Sequence, residues 1–106
     1  MFEKIETSRA YVRSVIRHVW REVIETREFG QSTPHALVAQ AYCKDMAFAV
    51  AHECVQLHGG MGITKDMLVE KLFRDARCGL IEDGSSEILG LEAAADLLAE
   101  ETYTLD

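Results

Sequence analysis

Three stretches of this 106-residue chain gather the residue types that chemistry uses. The first is Gln56-Leu57-His58-Gly59-Gly60-Met61-Gly62, an amide side chain followed by a glycine-rich break. The second is Arg74-Asp75-Ala76-Arg77, and the third is Glu82-Asp83-Gly84-Ser85-Ser86-Glu87-Ile88. Each has an ordinary reading when taken separately. Glycines after a helix act as a C-cap and loop, because glycine turns left-handed without a steric penalty. An acidic residue before Gly-Ser at a helix start is turn and cap chemistry. A fourth feature is the row Arg9, Arg13, Arg17 and Arg21, spaced four apart and so on one helix face. That row could meet phosphates, but its plainer reading is a solvated face with Glu6, Glu22 and Glu25 as neighbours.

Other reactive types are less promising. His18, His35, His52 and His58 lack ligand spacing with cysteine or carboxylate. Cys43, Cys54 and Cys78 make an odd count without a CxxC pair, so neither a disulfide framework nor a zinc site is expected, and a reducing cytoplasm is the simpler compartment. Cys54 and Cys78 read as buried small apolar groups, having no activating base nearby in sequence. The net charge of -7 argues against nucleic acid, whose phosphates it would repel. No apolar run approaches the roughly 20 residues that span a bilayer. The opening Met1-Phe2-Glu3-Lys4 has no basic-then-apolar layout of a secretory leader. A soluble, cytoplasmic protein without membrane or nucleic-acid partners is the expectation.

The elements that must position these stretches are helices. From Phe2 to about Phe29, Ile5, Val12, Val15, Ile16, Val19, Trp20, Val23 and Ile24 fall at helical spacing on one stripe. Gly30 to Pro34 interrupts it, with Thr33 as a candidate N-cap and Pro34 as the first helical residue. A second long helix follows to about His58, its alanines allowing close approach of a neighbour. Thr64 is expected to cap a third, shorter helix carrying Met67, Leu68, Leu72 and Phe73 towards Arg77. A fourth starts near Ser85 or Ser86 and runs into an acidic tail. Trp20 and Phe73 are expected in the core. With no convincing strand and no repeat, the chain reads as one all-α domain, an antiparallel four-helix bundle. Two helices of this length overreach a compact globule of this size, which implies a further partner surface and an oligomer.

In this order and spacing, the three stretches resemble the C-terminal domain of the acyl-CoA dehydrogenase family. The family pattern is Q-x-x-G-G-x-G, then R-D-x-R, then E-G-T-x-E-I opening the last long helix. Here it reads Gln56 to Gly62, Arg74 to Arg77, and Asp83-Gly84-Ser85-Ser86-Glu87-Ile88. Ala39 to Lys44 also looks like the family's alanine-and-lysine pattern. The resemblance implies FAD as cofactor and oxidation of an acyl-CoA thioester to its α,β-enoyl form. A carboxylate takes the α-proton while the β-hydrogen leaves as hydride to the flavin, and hydrogen bonds must polarise the thioester carbonyl. It further implies that Gln56, Gly59 and Gly60 contact the adenine-nucleotide end of FAD, usually in a neighbouring subunit. Gly84 then lies beside the acyl thioester, and Ser85 and Glu87 lie near the FAD. Arg74 and Asp75 read as a structural ion pair or cap.

One departure bears on catalysis. The base in many members is the glutamate before Gly-Thr, and here Asp83 holds that place with Glu82 before it. Aspartate is one methylene shorter, and a displacement of about 1 Å can cost on the order of a hundredfold in rate. Asp83 as a working base, a base on an upstream helix, and a site without activity all stay open; Glu82 reads as facing solvent. Full members also carry an N-terminal helical domain, a middle β-barrel domain and one more helix at the start of this one. None of that sequence is in these 106 residues. The isolated chain is therefore expected to lack dehydrogenase activity. It is either one part of the enzyme, acting with a companion chain or as a homo-oligomer, or a helical self-association module derived from that family.

Overall fold

The computed structural model describes residues 1–28 and 33–99, the side chain of Thr33 excepted. Four helices follow one another: α1 (Phe2–Thr26), α2 (Thr33–Leu57), α3 (Leu68–Gly79) and α4 (Ser86–Ala99), with a 3₁₀ segment at Gly59–Ile63 between α2 and α3. There is no strand among the described residues. The turn at Gly30, the capping role of Thr33 and the acidic tail lie outside the described residues.

The second helix is the hub. It packs against α1, α3, α4 and the 3₁₀ segment, whereas α1 packs against neither α3 nor α4 among the described residues. The first two helices run antiparallel. Lys4 Nζ lies 2.6 Å from Glu53 Oε1 at one end, the Tyr11 and Tyr42 rings meet edge-on at 5.7 Å, and His18 meets His35 at 4.9 Å at the other end. The third helix also runs antiparallel to α2, with Phe73 5.3 Å from the Phe48 ring and Arg77 5.8 Å above that same ring. The fourth opens beside Asp45, whose Oδ1 accepts a hydrogen bond from Ser86 Oγ at 2.9 Å.

Several local expectations change. The first helix ends at Thr26 rather than Phe29, closed by Arg27 in a left-handed conformation (φ 57) whose N–H donates to Val23. Thr64 does not cap α3. Its hydroxyl donates to Met61 O at 2.8 Å, finishing the 3₁₀ turn, and α3 starts later behind an uncapped Met67. Trp20 is not in the core but 66% exposed. The apolar residues of α1 form two adjacent rows, and only the row through Val12, Val15, Val19 and Val23 faces α2. Ile16, Trp20 and Ile24 lie outside it, exposed. Phe73 is half-buried against Phe48 and His52. Cys54 is half-buried and Cys78 exposed, so neither is the buried apolar group expected.

The core is small. Among the described residues, Val15, Ala39, Val69, Leu89 and Ala93 are buried hydrophobic residues, and no large side chain is fully buried. The radius of gyration is 17.0 Å, against about 13 Å for a compact domain of similar length. The accessible surface is 7909 Å², where a compact monomer of 11.9 kDa exposes roughly 6,000 Å². Between α1 and α3 an apolar groove of about 670 Å³ runs along α2, lined by Ile5, Met46, Val50, Cys54, Leu68 and Leu72.

Candidate functional site

The chain leaves α3 through a helical turn, the N–H groups of Ile81 and Glu82 donating to Cys78 O at 2.9 and 3.1 Å. It then reverses through two left-handed residues, Asp83 (φ 52) and Gly84 (φ 85). Aspartate is among the few side chains that tolerate this region, and glycine is at home there. A Cβ on Gly84 would also stand 3.2 Å from Leu89 Cδ2, so the position wants glycine twice over. The Asp83 carboxylate is exposed and has no hydrogen-bond or ionic partner among the described residues. Glu82 is exposed too, its Oε2 3.9 Å from Cys78 Sγ, back over the end of α3.

Ser85 caps α4. Its Oγ accepts from the Ile88 N–H at 3.4 Å, and its carbonyl accepts from Leu89 N–H at 2.9 Å. Glu87, in the first turn, has its carboxyl held below the usual range by its own backbone N–H, then by the Ser85 hydroxyl and the nearby Arg77 charge. From the side, α2 grips the turn. Lys44 Nζ donates to the carbonyls of Glu82 (2.5 Å) and Gly84 (3.0 Å), and Gln40 Nε2 comes within 3.5 Å of Asp83 O.

At the other end of α2, Gln56 is exposed and its amide has no partner among the described residues. The glycines here do different jobs. Gly59 (φ 60) makes the left-handed exit from the helix, and a Cβ on Gly59 or Gly60 would meet nothing within 4 Å. Gly62 is buried, and a Cβ there would stand 2.5 Å from Val55 O. The bare, open backbone of Gly59 and Gly60 beside a free donor-and-acceptor amide suits the flat edge of a nucleotide base. Those open atoms are the ones that the family resemblance would bring to the adenine end of FAD. At the start of α4, by contrast, the Ile88 and Glu87 N–H groups are already engaged by Ser85 Oγ and the Glu87 carboxylate.

Asp83, Gly84, Ser85 and Glu87 are thus brought together, and so are Gln56, Gly59 and Gly60. The two groups are not brought to each other. Roughly 20 Å of α2 lies between Lys44 and Leu57, so one chain cannot close both around the same end of one ligand. Of the Arg-Asp-Ala-Arg stretch, Arg77 lies near Glu87, whereas Arg74 and Asp75 are turned to partners on their own helix. Arg74 grips Glu70 with two hydrogen bonds (2.6 and 3.2 Å) and Asp75 pairs with Lys71, so the expected Arg74–Asp75 pair gives way to two i, i+4 pairs along α3. In the arginine row, Arg9 pairs with Glu6 at 2.8 Å and Arg17 Nε donates to Arg13 O at 3.2 Å, all four side chains facing out. Gln40, Lys44 and Gly62 lie inside stretches that the sequence marked but to which spacing alone assigned no role, and Asp45 lies outside them. Among the described residues no helix is long and apolar enough to cross a membrane.

Comparison with known proteins agrees with the motifs. A family model described as acyl-CoA dehydrogenase, C-terminal domain, matches residues 2–98. The short-chain specific acyl-CoA dehydrogenase of Bos taurus mitochondria is 37% identical over 79 residues, covering 74% of this chain and 19% of that protein. The very long-chain specific mitochondrial enzyme of Mus musculus is 41% identical over 59 residues, 56% of this chain and 9% of its own length. A 3-(aryl)acrylate reductase of Clostridium sporogenes is 35% identical over 63 residues, 59% of this chain and 17% of its own. The chain thus matches about a fifth or less of each relative. No solved structure matches it.

Proposed function

Since the chain belongs to the acyl-CoA dehydrogenase family, as its C-terminal helical domain, we propose that it supplies the base-bearing wall and one nucleotide-facing wall of an acyl-CoA dehydrogenase. The observation that carries this reading is the turn at Asp83. An aspartate held left-handed, with its carboxylate exposed and unpartnered, stands directly before a glycine and a capped helix start.

In this reading Asp83 takes the α-proton of an acyl-CoA thioester lying beside Gly84. Ser85 and Glu87, at the start of α4, lie near the FAD. Gln56, Gly59 and Gly60 meet the adenine end of an FAD in a neighbouring subunit, which accords with their distance from Asp83. The flavin, when bound, accepts the β-hydride. Asp83 is a base strong enough for its task only when the thioester carbonyl is hydrogen-bonded and water is shut out. Those functions belong to the helical and β-barrel domains that these residues do not include. The shallow core and the apolar groove beside α2 support this reading, since they leave a face on which the additional helix could pack. The working unit is an oligomeric complex of this chain with a companion carrying the missing domains, in fatty acid metabolism of the cytoplasm.

Production of the chain alone and together with such a companion tests this. Alone it turns over no acyl-CoA with an artificial electron acceptor; the complex purifies yellow, oxidises acyl-CoA, and loses turnover on Asp83→Asn while staying yellow. An Asp83→Asn complex as active as the parent would remove Asp83 from the chemistry. A second reading, a self-association module without catalysis, draws on the exposed row Ile16, Trp20 and Ile24. It requires a stable assembly that never takes up flavin.

A further inference from the structure

The loop that carries Asp83 is held by a residue far from it in sequence. Beyond the helical turn at Glu82, the carbonyls of Glu82, Asp83 and Gly84 point out of any helix and have no helical N–H to meet them. Such groups are rarely left unpartnered. Lys44, one side of α2, donates to the first and third of these carbonyls at 2.5 and 3.0 Å, and Gln40, one turn earlier on the same face, approaches the second at 3.5 Å. Lys44 is half-buried and makes no ion pair with any carboxylate among the described residues. Its ammonium is committed to main-chain oxygens.

That commitment has a geometric effect. The bonded carbonyls lie in the 82–83 and 84–85 peptide planes, so Lys44 ties down the two ends of the Asp83–Gly84 pair while Gln40 approaches the plane between them. Tying those ends together restricts the torsions of Asp83 and Gly84 between them and supports the two left-handed residues, Asp83 at φ 52 and Gly84 at φ 85, the first of which is uphill for any residue with a Cβ. A lysine suits the task because its compact ammonium has three donors free to rotate, whereas the flat guanidinium of arginine prefers coplanar pairs of acceptors. The Ser86–Asp45 hydrogen bond, from the next residue of α2, fastens the far end of the turn.

We propose that Lys44 is a positioning residue for Asp83: by bracketing it through the carbonyls of Glu82 and Gly84, Lys44 sets the direction in which the carboxylate is presented. Its catalytic meaning rests on the reading of Asp83 as the base; the bracketing itself does not. The first arm of the test is backbone NMR and amide exchange on the 106-residue chain, comparing the parent with Lys44→Met and Lys44→Arg. In Lys44→Met the Asp83 and Gly84 resonances move towards disordered values, and the Glu82 amide, itself bonded to Cys78 O, exchanges on the order of tenfold faster as the released turn opens more often. Amides of Val15 and Val50 keep their rates, and Lys44→Arg restores much of the loop signature. Unmoved Asp83 and Gly84 resonances in Lys44→Met, or a change spread evenly over the chain, overturn the proposal.

The second arm uses the flavin-bearing complex. There Lys44→Met lowers kcat by about tenfold to a hundredfold, the cost of a misplaced base, with KM little changed. A fully active Lys44→Met beside an inactive Asp83→Asn refutes the positioning role and leaves the base intact. An active Asp83→Asn refutes the base and leaves the first arm to stand or fall by itself.

Discussion

The glycines after α2 make opposite demands, and exchanging one methyl group at a time exposes them. In Gly62→Ala the new Cβ would lie 2.5 Å from Val55 O, 3.3 Å from Val55 C and 3.0 Å from His58 Cβ. The first two are backbone atoms of the last turn of α2 and cannot swing aside. That carbonyl also accepts the His58 N–H at 3.2 Å, so moving it costs a hydrogen bond as well as packing. Either the 3₁₀ segment lifts off the end of α2 or the last helical turn opens. Overpacking of this kind costs about 1–3 kcal/mol. For a domain of this size, a loss of about 2 kcal/mol lowers Tm by roughly 8–16 °C. In Gly60→Ala the Cβ enters open space, and stability should hold or rise by about 0.4–1 kcal/mol through the unfolded chain. Thermal and urea unfolding followed by circular dichroism at 222 nm reads both variants. Gly62→Ala as stable as the parent would refute the steric argument, and so would a comparable loss in Gly60→Ala. The flavin-bearing complex adds a contrast, since Gly60→Ala should weaken FAD binding there without weakening the fold.

Further outcomes follow from the charge and backbone details. Glu53 accepts from Lys4 and from the Met1 ammonium, and these partners hold its carboxyl below the usual range. Its support is complete above the unfolded glutamate value of about 4.3 and disappears as pH falls through the lower folded value. Unfolding of Glu53→Gln should therefore differ from the parent at pH 7 and converge with it near pH 3, and a gap that persists in acid contradicts the linkage. Arg27→Gly places the one residue without a Cβ at φ 57, so a gain of about 1 kcal/mol and a raised Tm are expected; calorimetry decides. Trp20→Glu should leave monomer stability within about 0.5 kcal/mol, because that ring is already in water, and should weaken self-association measured by sedimentation.

The helices, their order and their breaks were legible because each is written locally. Apolar spacing marks α1 and α2, a glycine marks the end of α2, and Ser85 marks the start of α4. What periodicity could not resolve is which of two neighbouring apolar rows receives a partner. Val15 and Ile16 are adjacent in sequence and equally apolar, yet one is buried and the other 60% exposed. Thr64 was an apt cap by type, but the 3₁₀ turn used its hydroxyl first. The grip of Lys44 on residues 82 and 84 spans about forty positions of chain, and no short motif encodes a contact that only tertiary packing creates. Gly59, Gly60 and Gly62 look alike as letters; Gly59 is required by its φ of 60 and Gly62 by the position of Val55 O, while Gly60 meets neither constraint.

The central place of α2 makes this helix a ruler as well as a hub. The acid-bearing turn is fastened near Lys44 and the glycine end begins past Leu57, so the gap between whatever molecules meet these two ends is counted in helical residues. Deleting one turn between Asp45 and Val55 would shorten that gap by about 5.4 Å while leaving both ends chemically whole. Because α1 and α3 pack on that same stretch, through Glu53 and Phe48 among others, the spacing is locked to the bundle and could not be reset without loosening it.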